Sequence, residues 1–115
     1  MNTSAKGKLL RIFVDEADKC QKRPLYEKII SFAKENKMAG ATALKGIMGF
    51  GYKSHMHTAK LLRLSENLPI IVEIVDTEKK INDFLPLLKE IVKEGLITVE
   101  ETNVIMHRVS NGVSP

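Results

Sequence analysis

Residues 8–14, Lys-Leu-Leu-Arg-Ile-Phe-Val, alternate imperfectly between polar and apolar and are rich in β-formers, so they predict a strand. Residues 15–22 are polar and turn-like. Pro24 suits the first turn of a helix, where its missing N–H costs nothing. Leu25, Ile29, Phe32 and Ala33 then fall on one helical face. Gly40 follows the helix, and residues 41–47 predict a second strand. The small residues at 39–43 allow a neighbour to approach closely. Gly46, Gly49 and Gly51 within six residues exclude regular helix and strand and predict a loop with unusual backbone needs. Residues 55–64 are read as a short helical turn or a disordered tip.

Residues 68–76, Leu-Pro-Ile-Ile-Val-Glu-Ile-Val-Asp, form the strongest strand pattern, with Pro69 near its start. Its nearly continuous apolar character predicts burial on both faces or at a subunit contact. Asp76 or Thr77 can cap a second helix, in which Ile81, Phe84, Leu85, Leu88, Ile91 and Val92 keep a 3.6-residue period. Pro86 interrupts that pattern, and Gly95 is expected at its C-terminal stop. Residues 96–106 predict a fourth, partly irregular strand. The order β-α-β-loop-β-α-β is the ferredoxin-like split βαβ pattern, an α+β sandwich. It puts two helices on one face of a four-stranded antiparallel sheet. The expected domain is residues 8–108, with flexible termini at 1–7 and 109–115. A small sheet with one apolar face uncovered calls for a partner, so an oligomer is expected.

Composition narrows the class. At 115 residues the chain allows one compact domain, and 43% hydrophobic with 28% charged residues is ordinary for a globular protein. One cysteine, Cys20, excludes an internal disulfide framework and a multi-cysteine zinc site. No apolar run reaches the ~20 residues of a membrane span, and residues 1–8 lack the apolar core of a secretory signal. The expectation is a cytoplasmic protein with no membrane insertion. A domain this short has little interior for a private cleft, which places a ligand site between subunits.

The net charge of +4 is unevenly spread. No acidic residue occurs from 36 to 65, whereas the same stretch holds Lys37, Lys45, Lys53, Lys60 and Arg63 with His55 and His57. Donors without competing carboxylates suit an anion. Few aromatic residues and no basic run argue against nucleic acid. Gly49 and Gly51 flank Phe50, so their N–H groups could face an anion or a base while the ring packs on a ligand. Lys45 and Lys53 could pair with phosphate as mobile point charges, and Arg108 could grip it through two parallel N–H bonds. Glu73 stands in an apolar strand and needs a donor, an exposed face or a neighbouring subunit's lysine. His55 and His57 fall on one side of an extended segment and could start a transition-metal site, completed by His107 or Cys20. No nucleophile–base or paired-carboxylate constellation stands out, so the reading is non-enzymatic.

The run Gly40-Ala41-Thr42-Ala43-Leu44-Lys45-Gly46-Ile47-Met48-Gly49-Phe50-Gly51 resembles the second strand and glycine-rich exit of nitrogen-regulatory PII signalling proteins. Residues 69–76 resemble their third strand. The string from Gly46 to His57 is similar to that of a stand-alone PII-like branch. The resemblance covers residues 8–108 and implies a homotrimer with adenine nucleotides in the clefts between subunits. It implies a flexible loop, about 51–64 here, that signals to a transporter, enzyme or regulator. It points to Lys45, Gly46, Gly49, Phe50, Gly51, Lys53, Glu73 and Arg108 as nucleotide-binding residues, with no cofactor required. The family's glycine- and lysine-rich phosphate loop is reduced here to Lys93-Glu94-Gly95-Leu96, and of its two arginines near the end of the fourth strand only Arg108 has a counterpart, which favours AMP or ADP over ATP. The alternative is a metal-binding trimer of the same fold that uses His55, His57 and His107.

Overall fold

The computed structural model describes residues 5–50 and 67–110. Four strands form one antiparallel sheet: β1 (Ala5–Asp15), β4 (Thr42–Lys45), β5 (Pro69–Thr77) and β6 (Leu96–Val104), in the order β4-β5-β1-β6. Helices α1 (Leu25–Glu35) and α2 (Glu78–Ile91) cover one face. Two two-residue strands, β2 (Lys19–Cys20) and β3 (Arg23–Pro24), make a small hairpin ahead of α1. The α+β ferredoxin-like architecture expected from the hydrophobic pattern is present.

The central pair β1–β5 sets the core. Period-two alternation sends Leu10, Ile12 and Val14 of β1 and Ile70, Val72 and Ile74 of β5 toward the helices, all at most 3% exposed. Leu25, Ile29 and Ala33 of α1 and Ile81, Phe84 and Leu88 of α2 close this layer. Burying each large aliphatic or aromatic side chain here stabilises the fold by about 1.5–3 kcal/mol. The Phe32 and Phe84 rings meet at a centroid distance of 5.7 Å and join the two helices.

Several ends and turns differ from what composition suggests. The hairpin turn uses Gln21 and Lys22, both left-handed at φ 53° and 71°, where glycine or asparagine is usual. Pro24 is the N-cap of α1 rather than a residue of its first turn. Helix α1 ends with Lys37 left-handed at φ 59°, ahead of Gly40. Met38 N–H donates to Ala33 O and Lys37 N–H to Lys34 O, the two bonds of a Schellman close. Thr77 caps α2, its hydroxyl accepting from Lys80 N–H at 3.3 Å. The helix continues through Pro86 and ends with Val92 as C-cap. Gly95 therefore serves the entry to β6: its φ is 153°, and a Cβ there would come within 2.9 Å of Phe13 O. β5 is buried on one face only. Ile71, Glu73 and Val75 look the other way, with Leu9, Arg11 and Phe13 of β1, and no described helix covers that side. The strand therefore reads as continuous in sequence yet alternates in burial.

The ring of Phe84 links α2 to α1 and is 2% exposed. Phe84→Ala is expected to lower unfolding free energy by about 3–5 kcal/mol, measured by urea titration.

Candidate functional site

A cleft of about 390 Å³ opens at one end of the sheet. It is walled by Lys6 at the start of β1, by residues 39–42 leading into β4, and by Glu73, Val75, Asp76 and Thr77 of β5. Val104, Met106 and His107 close the β6 side.

A buried carboxylate holds the wall at residues 39–42 in place. Asp76 is 8% exposed, and burying a charge is costly unless it is hydrogen-bonded. Its Oδ2 accepts from Ala39 N–H at 2.8 Å and its Oδ1 from Thr77 N–H at 2.7 Å. Lys80 Nζ lies 3.8 Å from Oδ2 and also donates to the Lys37 carbonyl. The segment between α1 and β4 is thereby tied to the end of β5. Gly7, at the back of this corner, has no room for a side chain, since a Cβ would lie 2.7 Å from Asp76 O.

Glu73 contributes the cleft's second carboxylate. It pairs directly with Arg11 across β1–β5, with Arg11 Nε donating to Glu73 Oε2 at 2.9 Å. Arg11 Nη1 donates to Glu100 Oε1 at 3.0 Å. The hydrogen bond to Glu73 raises the Arg11 pKa, partial burial opposes that rise, and Glu100 adds to it. The guanidinium thus stays charged across the working pH range. Glu73 meets its need for a donor through Arg11 of its own chain.

The structure separates the other residues singled out in the sequence. Lys45 and Gly46 lie at the opposite end of β4 from Thr42, three strand steps or about 10 Å away. Lys45 pairs with Ile70 in register and therefore projects to the helix side, where its Nζ is 2.7 Å from Glu16 Oε2. Gly46 N–H donates to Pro69 O at 2.8 Å, and a Cβ on Gly46 would meet Pro69 Cγ at 2.9 Å. Gly49 has φ 153°, a conformation that side chains rarely adopt, and Phe50 is 82% exposed. None of Lys45, Gly46, Gly49, Phe50 and Arg108 lines the cleft. Gly51, Lys53, His55 and His57, and the expected loop at 51–64, lie outside the described residues. His107 lines the cleft, and among the described residues no group of three potential metal ligands comes together. Of the residues expected to bind a nucleotide, Glu73 is the one at the cleft wall among the described residues. Lys6, Thr42, Val75, Asp76 and Met106 escaped notice as site residues, although the small-residue stretch at 39–43 marked one wall.

Residues 7–104 match the family model of DUF190, described as Uncharacterized ACR. The chain belongs to the DUF190 family. Its relatives include proteins named UPF0166. One from Aquifex aeolicus is 41% identical over 100 residues, spanning 87% of this chain and 94% of the relative. One from Methanocaldococcus jannaschii is 40% identical over 100 residues, spanning 86% and 92%. Among solved structures, this DUF190 chain is similar to CPII of Thiomonas intermedia K12, a nitrogen regulatory PII-like protein bound to ADP, AMP and bicarbonate. That match has a TM-score of 0.56 at 18% identity and covers 90% of this chain and 92% of CPII. The shared feature is the fold, which is PII-like. No helix among the described residues is long and apolar enough to cross a membrane.

The Glu16–Lys45 pair joins the β1 exit to the β4 exit, and Glu16 Oε1 also accepts from Leu68 N–H at 3.3 Å. The hydrogen bond from Lys45, then that from Leu68, lowers the Glu16 pKa below its ordinary 4.5. Glu16 raises the Lys45 pKa above its ordinary 10.5. The Glu16 contribution is therefore complete above the unfolded carboxylate value and is lost as pH falls through the lower, folded one. The Lys45 contribution is complete below the unfolded amine value and is lost as pH rises through the folded one. The stability difference between wild type and Glu16→Gln should be present at pH 7 and vanish as acid protonates Glu16, measured by thermal melts across pH.

Proposed function

We propose that this DUF190 chain is a PII-like regulatory protein that binds an adenine nucleotide, ADP or AMP, in the cleft beside Glu73. The observation that carries this reading is the cleft itself. Its 390 Å³ is in the range of small-molecule sites, and its lining mixes apolar groups with few polar ones. It has Val75, Val104 and Met106 for a flat ring, and backbone and side-chain polar groups at 39–42 and at Glu73 for its edges. The binding of ADP and AMP by CPII, on the same fold, supports the choice of ligand.

The cleft is open to solvent on one side, and the uncovered sheet face adjoins it. Leu44, Val75 and Leu96 on that face are 46%, 39% and 50% exposed. We infer a homotrimer in which a neighbouring copy covers this face and completes each cleft. Lys45, Gly46, Gly49 and Phe50, with Gly51 and Lys53, would reach a nucleotide from a neighbouring copy or through the segment at 51–64. Arg108 follows the cleft residue His107 and would meet the phosphates there. The segment at 51–64 would carry the bound state to a transporter, enzyme or regulator. Such signalling requires the ligand to favour one of two arrangements of that segment.

Isothermal calorimetry tests the central step. ADP or AMP should bind at one site per chain. Val75→Glu, which adds a carboxylate beside Glu73 on the open face, should weaken ADP about tenfold or more. Absence of heat with AMP, ADP, ATP and cyclic nucleotides would contradict the proposal.

A further inference from the structure

Arg11 belongs to a chain of charges that starts outside the cleft and ends in it. Glu100 and Arg11 do not line the cleft, whereas Glu73 does. Arg11 stands directly opposite Glu73 in the β1–β5 register, and Glu100 is opposite Leu9, the next same-face position on β1. One guanidinium therefore spans three strands, Nε to Glu73 at 2.9 Å and Nη1 to Glu100 at 3.0 Å. The three side chains are 34%, 33% and 59% exposed. Within a single chain, an ion pair so open to water contributes little to stability. A planar fork held at both ends, however, fixes direction well.

We infer that Arg11 is a positioning residue for Glu73, anchored from behind by Glu100, and that the three together present one Glu73 oxygen to a hydrogen-bond donor of the nucleotide. This inference rests on the nucleotide reading proposed above and specifies its chemistry at one wall. Arg11 takes Oε2, and a carboxylate has a second oxygen with lone pairs to offer. That oxygen suits an N–H or O–H of a base or ribose and repels a phosphate. The Glu73 wall is therefore the neutral end of the ligand, and the anionic end lies away from it.

The test uses the full chain, uniformly labelled with ¹⁵N, and ADP as the probe. The Arg11 Nε–H resonance should shift on adding ADP, with the same midpoint that calorimetry gives. Arg11→Lys keeps the charge and loses the fork, and should weaken ADP about fivefold. Glu100→Gln removes the rear anchor only and should weaken it about twofold to threefold. A purely structural role would leave the Nε–H resonance unmoved by ADP. An unmoved resonance while ADP binds, or Arg11→Lys binding as wild type does, overturns this inference and leaves the nucleotide reading standing. Failure of wild type to bind ADP or AMP overturns both.

Discussion

The antiparallel pairing of β1 with β5, from Gly7 opposite Thr77 to Asp15 opposite Pro69, is the constraint on which the rest depends. A strand has only two faces, and a slip of one residue exchanges them. In the observed register, Leu10, Ile12 and Val14 share the helix side with Ile70, Val72 and Ile74, and the core is apolar throughout. The same register leaves Arg11 facing Glu73 on the other side. Displacing β5 by one residue would bury Glu73 under the helices and leave Arg11 without its partner. Hydrophobic burial and the cross-strand ion pair thus select the same alignment.

The cleft is placed by the consequences of this pairing. β5 ends at Thr77, so the Asp76 carboxylate reaches the chain leaving α1 and fixes Ala39 against the sheet. The Schellman close at Lys37 turns the chain toward that carboxylate. Together they bring 39–42, the end of β5 and the end of β6 around one cleft. Its walls are strand ends and a short connection, held by bonds to backbone N–H groups. Such a site can be rigid at the strand ends and still receive a further wall from outside the chain, which is how an open cleft in a small domain gains depth.

Most of the fold was legible because its main elements are amphipathic. The two helices show themselves through Leu25, Ile29 and Ala33 and through Ile81, Phe84 and Leu88, and the central strands through their β-branched residues. Local stops were less legible. Gln21, Lys22 and Lys37 occupy left-handed positions that composition assigns to glycine or asparagine. The short β4 was over-extended to residue 47, since nothing in Gly46 announces its bond to Pro69 O. Glu73 was legible as a site residue because a carboxylate in an apolar strand demands a partner. Lys45 was grouped with it through the glycine-rich run, yet strand parity separates them. Thr42 opposes Glu73 and Lys45 opposes Ile70, an odd number of steps away and hence on the other face. The contributions of Lys6, Val104 and Met106 come from opposite ends of the chain and carry no local pattern.

The account holds that a PII-like sheet, left bare on one face by its own register, assembles with copies of itself and carries an adenine nucleotide in the clefts beside Glu73. The chain has no tryptophan and two tyrosines, so its ultraviolet absorbance is weak and bound nucleotide is readily seen at 260 nm. Sedimentation velocity of the full chain with ADP, recorded at 260 nm and by interference, measures assembly and occupancy together. The account predicts one boundary at three times the 12.9 kDa chain mass, with nucleotide absorbance moving in it. A boundary at the single-chain mass, with all the ADP left in the slow, free fraction, would contradict it.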